Sequence, residues 1–198
     1  MRYQIHRYPA DMIDVAWLDG HRVVIRPVLP QDAPLTAAFF GNLTAHSRYD
    51  RFMSPMRELP PSLLERLTHV DYADHLALVA ELFEGDKEIV VAEARYVRPA
   101  GTGDAEFAVS VADQWQGKGL ASLLLAKLLC RARFVGIERV VGETLATNER
   151  MMHLARKAGF TLRHSPDTRG VVLMEKPLEA TQPRVPCDSA RAEDVLAA

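Results

Sequence analysis

The sequence predicts a mixed α/β domain: a twisted central mixed sheet of about six to seven strands with helices on both faces. Three observations predict it. Stretches of strand and helix character follow one another as β, helices, β, β, β, α, β, α, β, β, the order of a sheet covered on both sides. Residues 104–136 pass from a strand through a glycine-rich turn into a long helix rich in Leu and Ala. The 198 residues are 48% apolar and 25% charged, which suits one domain with a sizeable core and leaves little for two.

In chain order, residues 1–20 mix Tyr, Pro and Asp and end in a turn at Asp19-Gly20, and they read as an N-terminal arm with room for one short strand. Residues 21–27 alternate around Val23 and Ile25, the pattern of a first full strand. Asp32 stands at a helix N-cap position before Ala33-Pro34, and an early helical Pro suits its fixed φ. Leu35, Ala38, Phe39 and Leu43 then recur at helical spacing. Residues 47–52 suggest a second short helix, and Pro60-Pro61-Ser62 opens a third through Leu63, Leu64 and Leu67. Two strands over 76–82 and 88–97 are joined by a hairpin loop at 83–87.

Residues 99–103, with Gly101 and Gly103, form the next loop, and the strand 105–111 follows it. The helix over 120–135 is ended by Gly136, and residues 138–145, with Val140 and Val141, read as a further strand. Thr147 or Asn148 caps a helix running to Ala158, and Gly159 closes it. Residues 160–164 and 170–174 form a last hairpin around Ser165-Pro166-Asp167-Thr168. From Pro177 the chain turns polar, with Pro183 and Pro186, and reads as a disordered tail. The domain is thus placed over 21–176, between an arm (1–20) and a tail (177–198).

Composition excludes several classes. A net charge of −2 gives no basic field for nucleic acid, so any anion site must be local. The two cysteines, Cys130 and Cys187, lie far apart, which argues against a structural disulfide, and no metal-ligand spacing is present. No stretch approaches 18 apolar residues and the N-terminus lacks an apolar h-region. The expectation is a cytoplasmic protein with no metal, nucleic-acid or membrane partner.

The chemistry points to the turn Gln116-Gly117-Lys118-Gly119-Leu120-Ala121. Its glycines let backbone N–H groups approach an anion, and the helix that follows adds unpaired N–H donors and a partial positive charge. The ligand should therefore carry phosphate. A P-loop would need Ser or Thr after Gly-Lys, but Gly119 follows Lys118. A dinucleotide fingerprint would need a third glycine where Ser122 stands, and Glu138 is a loose match for its acidic residue. Gln116, Gly119 and Ala121 fit another pattern: Arg or Gln, two residues, Gly, one residue, then Gly or Ala.

On this pattern the chain resembles the GNAT family of N-acetyltransferases, whose acyl-CoA pyrophosphate loop has this form. The resemblance covers roughly residues 20–176 and lies toward the acetyltransferase domain of Pat-type protein lysine acetyltransferases. It is carried by Ile25-Arg26-Pro27, Ser47-Arg48-Tyr49, Arg51-Phe52, Asp71-Tyr72, Ala77-Leu78-Val79-Ala80, Ala105-Glu106-Phe107-Ala108-Val109 and the turn itself. Pat-type enzymes often join this domain to an acyl-CoA-synthetase-like or nucleotide-binding domain, and neither is read in these residues.

The resemblance implies acetyl-CoA as co-substrate and a primary amine as acceptor. A lysine amine has an ordinary pKa of about 10.4 and must lose a proton before it attacks a thioester. Glu106 is the expected general base. On a strand it shares a face with Ala108 and Ser110, which leaves room for a substrate, although a salt-bridged strand-end Glu would look the same. A backbone N–H near Val109 would steady charge on the thioester oxygen. By the resemblance, Val109 and Val111 pair with the pantetheine arm, and Gln116, Gly117, Lys118, Gly119, Leu120 and Ala121 hold the pyrophosphate, mostly through backbone N–H. Asn148 matches a residue beside the pantetheine arm, and it equally suits a helix N-cap.

Where many relatives place an acidic Tyr for the leaving thiolate, this chain has Ala155, and His153 is expected at the surface. Asp71, Tyr72 and Glu93 are read as structural, and Arg48, Arg51 and Arg57 as a solvated basic run. The resemblance leaves three readings open: a protein lysine acetyltransferase, a small-amine acetyltransferase and a non-catalytic acyl-CoA sensor.

Overall fold

The computed structural model describes residues 7–179. Eight strands form one sheet in the order β1-β2-β3-β4-β5-β6-β8-β7. They are β1 (Asp14–Leu18), β2 (His21–Pro27), β3 (His75–Glu84), β4 (Lys87–Val97), β5 (Asp104–Val111), β6 (Arg139–Leu145), β7 (Thr161–His164) and β8 (Val171–Pro177). The helices are α1 (Ala33–Asn42), α2 (Ala45–Phe52), α3 (Pro61–Thr68), α4 (Leu120–Phe134) and α5 (Glu149–Lys157). All neighbouring strands pair antiparallel except β5 and β6, which are parallel.

The expected class and element order hold, with differences that have physical causes. The sheet has eight strands, not six or seven, because β1 pairs with β2 through a tight turn in which Asp19 and Gly20 both take positive φ. At the other end β8 runs to Pro177, and the Leu178 N–H bonds the Glu138 carbonyl at 2.7 Å. The tail expected beyond residue 179 lies outside the described residues. Along α1, Ala38 is exposed, and Thr36, Phe39 and Phe40 fill the core instead. Asp32 does precede α1, but its carboxylate serves Arg26 (2.6 and 3.0 Å) and the Leu29 N–H (2.7 Å) rather than the helix. Cys130 is disulfide-bonded, against the expectation for the two cysteines, and Cys187 lies outside the described residues. No described helix is long and apolar enough to cross a membrane.

Strand alternation gives the sheet two unlike faces. One carries Ile25, Leu78, Ala94, Phe107 and Val140 and packs on α4, whose Leu124, Leu125 and Leu128 are fully buried. The other carries Arg26, Glu93, Arg95 and Glu106 and lies toward α1, α2 and α3. Its buried charges are paired: Arg95 donates to Glu93 at 2.7 Å and to the Leu67 carbonyl of α3 at 2.9 Å.

Candidate active site

The sheet opens at its middle. The β5–β6 ladder pairs Asp104 with Arg139, Ala105 with Val140 and Glu106 with Val141, and no further pairs follow although both strands continue. The point of parting has a local cause. Phe107 and Gly142 would be the next pair, and the Phe107 ring sits where a Gly142 side chain would be. A Cβ there would meet the ring at 2.7 Å. Phe160 supports the ring from behind, with ring centroids 4.8 Å apart.

Beyond that point one edge of β5 is free. The Ala112 N–H bonds the Val91 carbonyl at 2.8 Å, so even-numbered residues of β5 turn their backbone groups to β4. By alternation Val109 and Val111 turn theirs into the opening. The Val111 carbonyl accepts a hydrogen bond from the Gln116 side chain at 3.1 Å, which folds the turn back onto the strand end.

The turn itself is a backbone cradle. Gly117 and Gly119 hold φ of 77° and 85°, and a Cβ at either would meet nothing within 4 Å. The glycines are thus required by conformation, not by crowding. Gly119 is the N-cap of α4 and no side chain caps the helix, so the first-turn amides at 120–122 keep their donor capacity. Those amides fit a phosphate.

Strand edge, turn, α2 and α5 enclose a cleft of about 1040 Å³. Val109, Ser110, Val111, Gln116, Gly117, Gly119, Leu120, Ala121 and Asn148 all line it. Asp113 locks the α2 wall to the turn. Its carboxylate accepts from the Thr44 N–H (3.0 Å), the Thr44 hydroxyl (2.9 Å) and the Ser47 hydroxyl (2.7 Å). Burial alone would raise the Asp113 carboxyl, and these hydrogen bonds outweigh it and hold it below its ordinary value. Arg150 of α5 donates to the Gln116 side-chain oxygen and closes the other wall onto the turn. Neither tie was foreseen, because the partners are far apart in sequence and no local pattern marks them.

Glu106 is exposed at the last paired position, just outside the cleft lining. Its charged neighbour is Arg51, a lining residue of α2. Burial pushes the Arg51 guanidinium down to about 10, Arg95 adds to that, and Glu93 and Glu106 oppose it. Arg51 therefore stays cationic at neutral pH. His46 and Asp50, 3.4 Å apart, lie on the same wall. The expected basic run is divided: Arg48 donates to the Gly41 carbonyl at 3.0 Å and to that of Leu43, while Arg57 lines a separate hollow of about 220 Å³.

Two expected side chains are engaged elsewhere. Lys118 pairs with Asp19 and lies 5.2 Å from the Trp115 ring centre, so its ammonium is not part of the cleft lining. The Asn148 side chain accepts from the Met151 N–H at 3.0 Å as the N-cap of α5, while the residue also lines the cleft. Asp71 accepts from three backbone N–H groups, Tyr72 donates to the Val28 carbonyl and Glu93 holds Arg95, all structural roles. Ala155 is fully buried, and His153, expected at the surface away from the site, is exposed on the cleft.

Known proteins share this arrangement. An acetyltransferase of Pseudomonas aeruginosa is 33% identical over 149 residues, 75% of this chain and 80% of that protein. Acetyltransferase Pat of Mycolicibacterium smegmatis is 36% identical over 141 residues, and that match spans 71% of this chain but only 41% of the longer relative. Among solved structures, the GNAT domain of S. lividans PAT has a TM-score of 0.78 at 33% identity, covering 87% of this chain and 100% of that domain. A cAMP-binding acyltransferase from Mycobacterium smegmatis has a TM-score of 0.59 at 29% identity, covering 95% of this chain and 55% of its own. Residues 22–161 match the model of the acetyltransferase (GNAT) domain, the stretch that holds the divided sheet, the glycine turn and both cleft walls. The chain belongs to the GNAT acetyltransferase family.

Proposed function

We propose that this enzyme moves the acetyl group of acetyl-CoA to a primary amine, most probably defined as a protein lysine side chain, with Glu106 as general base in a ternary complex. The observation that carries the reading is the free edge of β5: it begins where Glu106 ends the paired ladder and leads to the uncapped amides of α4. A pantetheine arm has amide groups that can pair with a strand edge, and a diphosphate suits the amides at its far end. Gln116, Gly117, Lys118, Gly119, Leu120 and Ala121 would hold the diphosphate through backbone N–H, and Val109 and Val111 the arm, with Asn148 beside it.

In the reaction the amine nitrogen forms a bond to the thioester carbonyl carbon and the carbon–sulfur bond breaks. Glu106 takes the proton lost by the amine, directly or through water. The Val109 N–H, fixed in the opened edge, is the donor for charge gathering on the carbonyl oxygen. A thiol has an ordinary pKa of about 8.5, so thiolate is a tolerable leaving group and the alanine at 155 does not forbid turnover. The Pat-type relatives support protein lysine as acceptor, and a small amine would use the same donor side.

The test is thiol release from acetyl-CoA, at saturation and neutral pH, with lysine peptides, proteins and polyamines as acceptors. Glu106→Gln is expected to lower release by more than tenfold. A loss well under tenfold removes Glu106 from the role. The buried Ala155, with no acid in its place, favours one second reading, a non-catalytic acyl-CoA sensor. Acetyl-CoA binding with no release by any acceptor would establish it.

A further inference from the structure

The cleft has a cationic wall that the chemistry of acetyl transfer does not use. On α5, Arg150, His153 and Lys157 line the cleft at a spacing of three and four residues, so they form one stripe about 10 Å long. Arg150 touches Gln116 and anchors the stripe to the glycine turn. His153 and Lys157 have no ion-pair or hydrogen-bond partner among the described residues. The turn's own lysine, Lys118, is held by Asp19 outside the lining. Positive charge at this end of the cleft therefore comes from α5. Of the acidic residues lining the cleft, Asp113 is committed to Thr44 and Ser47, Asp50 lies beside His46 on the opposite wall, and Glu149 stands at the start of α5.

An unpaired cation facing an open cleft fits a ligand anion further from the turn than the diphosphate. We propose that Lys157, with His153, forms a subsite for the 3′-phosphate of the adenosine end of coenzyme A, and that Arg150 joins this subsite to the diphosphate cradle. The inference rests on the acyl-CoA reading above and adds a donor selectivity to it. A thioester whose pantetheine arm is carried by a protein has no 3′-phosphate and would forgo this contact.

The test compares binding of coenzyme A and 3′-dephospho-coenzyme A by calorimetry. The unaltered protein is expected to bind coenzyme A about tenfold more tightly, the size of one charge-assisted contact. Lys157→Ala should bring the two affinities within about threefold of each other by weakening coenzyme A alone, and Lys157→Arg should restore the preference. Lys157 is exposed at the last turn of α5, and thermal melting would verify that both variants stay folded. Equal affinity of the unaltered protein for both compounds overturns the subsite and leaves the acyl-CoA reading standing. An equal loss for both compounds in Lys157→Ala also overturns it, since Lys157 would then serve the diphosphate. Failure of both compounds to bind overturns the subsite and the acyl-CoA reading together.

Discussion

At the scale of single residues, the glycine turn contains two neighbours with opposite expectations. Gly119 sits at φ 85° with open space around it, so Gly119→Ala meets no clash. Its cost is conformational, about 1–2 kcal/mol for an L-residue held in the left-handed region. The relief of that strain would swing the 120–122 amides out of line. Gly119→Ala is therefore expected to lower Tm by several degrees and to weaken coenzyme A binding about tenfold. Lys118→Ala removes a charge that faces Asp19, not the cleft, and its main-chain N–H remains. Coenzyme A affinity should change by less than about threefold in that variant. A larger loss for Lys118→Ala than for Gly119→Ala would mean that the side chain, not the backbone, holds the anion.

At the scale of elements, the site exists because β5 and β6 part, and Gly142 is where that is decided. A Cβ at 142 would lie 2.7 Å from Phe107 and 3.3 Å from Met174, and Phe107 cannot retreat because Phe160 lies against it. Gly142→Ala is expected to cost about 1–3 kcal/mol in denaturant unfolding, as overpacking does. Phe107→Leu in the same background should recover part of that loss; no recovery would separate the strain from the ring. The sequence made much of this element legible. Strands, the glycine turn and the helix after it follow from alternation and from Gly119 and Gly136, which act locally. Gly142 gave no such signal, since a glycine in a strand pattern looks like any weak point and its partner ring is distant in the chain. The same holds for Asp113, which reads as a turn residue yet fastens α2 to the cleft. Glu106 was legible as a residue type on a strand face, but its exposure beside half-buried Arg51 follows from how α2 folds over the sheet.

At the scale of the whole molecule, the polar face of the sheet carries two perturbed groups whose effects on stability oppose each other. His75 Nε2 lies 3.0 Å from an Arg95 guanidinium nitrogen, which can only donate, so the imidazole is neutral and accepts. Burial, aided by Arg95, pushes its pKa down from 6.5 to about 4. The unfolded chain then binds the proton more readily, so this contribution to stability is fully present above pH 6.5 and is lost as pH falls toward 4. Glu81 behaves in the opposite way. Burial and a hydrogen bond with Glu88 push its carboxyl up from 4.5 to about 7, against the pull of Arg26 at 2.7 Å. Its contribution is fully present below pH 4.5 and is lost as pH rises through 7. Each is on the order of 2 kcal/mol, and between pH 5 and pH 7.5 they largely cancel. Single variants should expose them. Relative to the unaltered protein, His75→Gln, which keeps an acceptor for Arg95, should lose stability as pH rises from 5 to 7.5. Glu81→Gln should gain stability over the same interval. Urea unfolding at the two pH values reads both slopes, and slopes of the same sign in the two variants would break the account of this buried polar face.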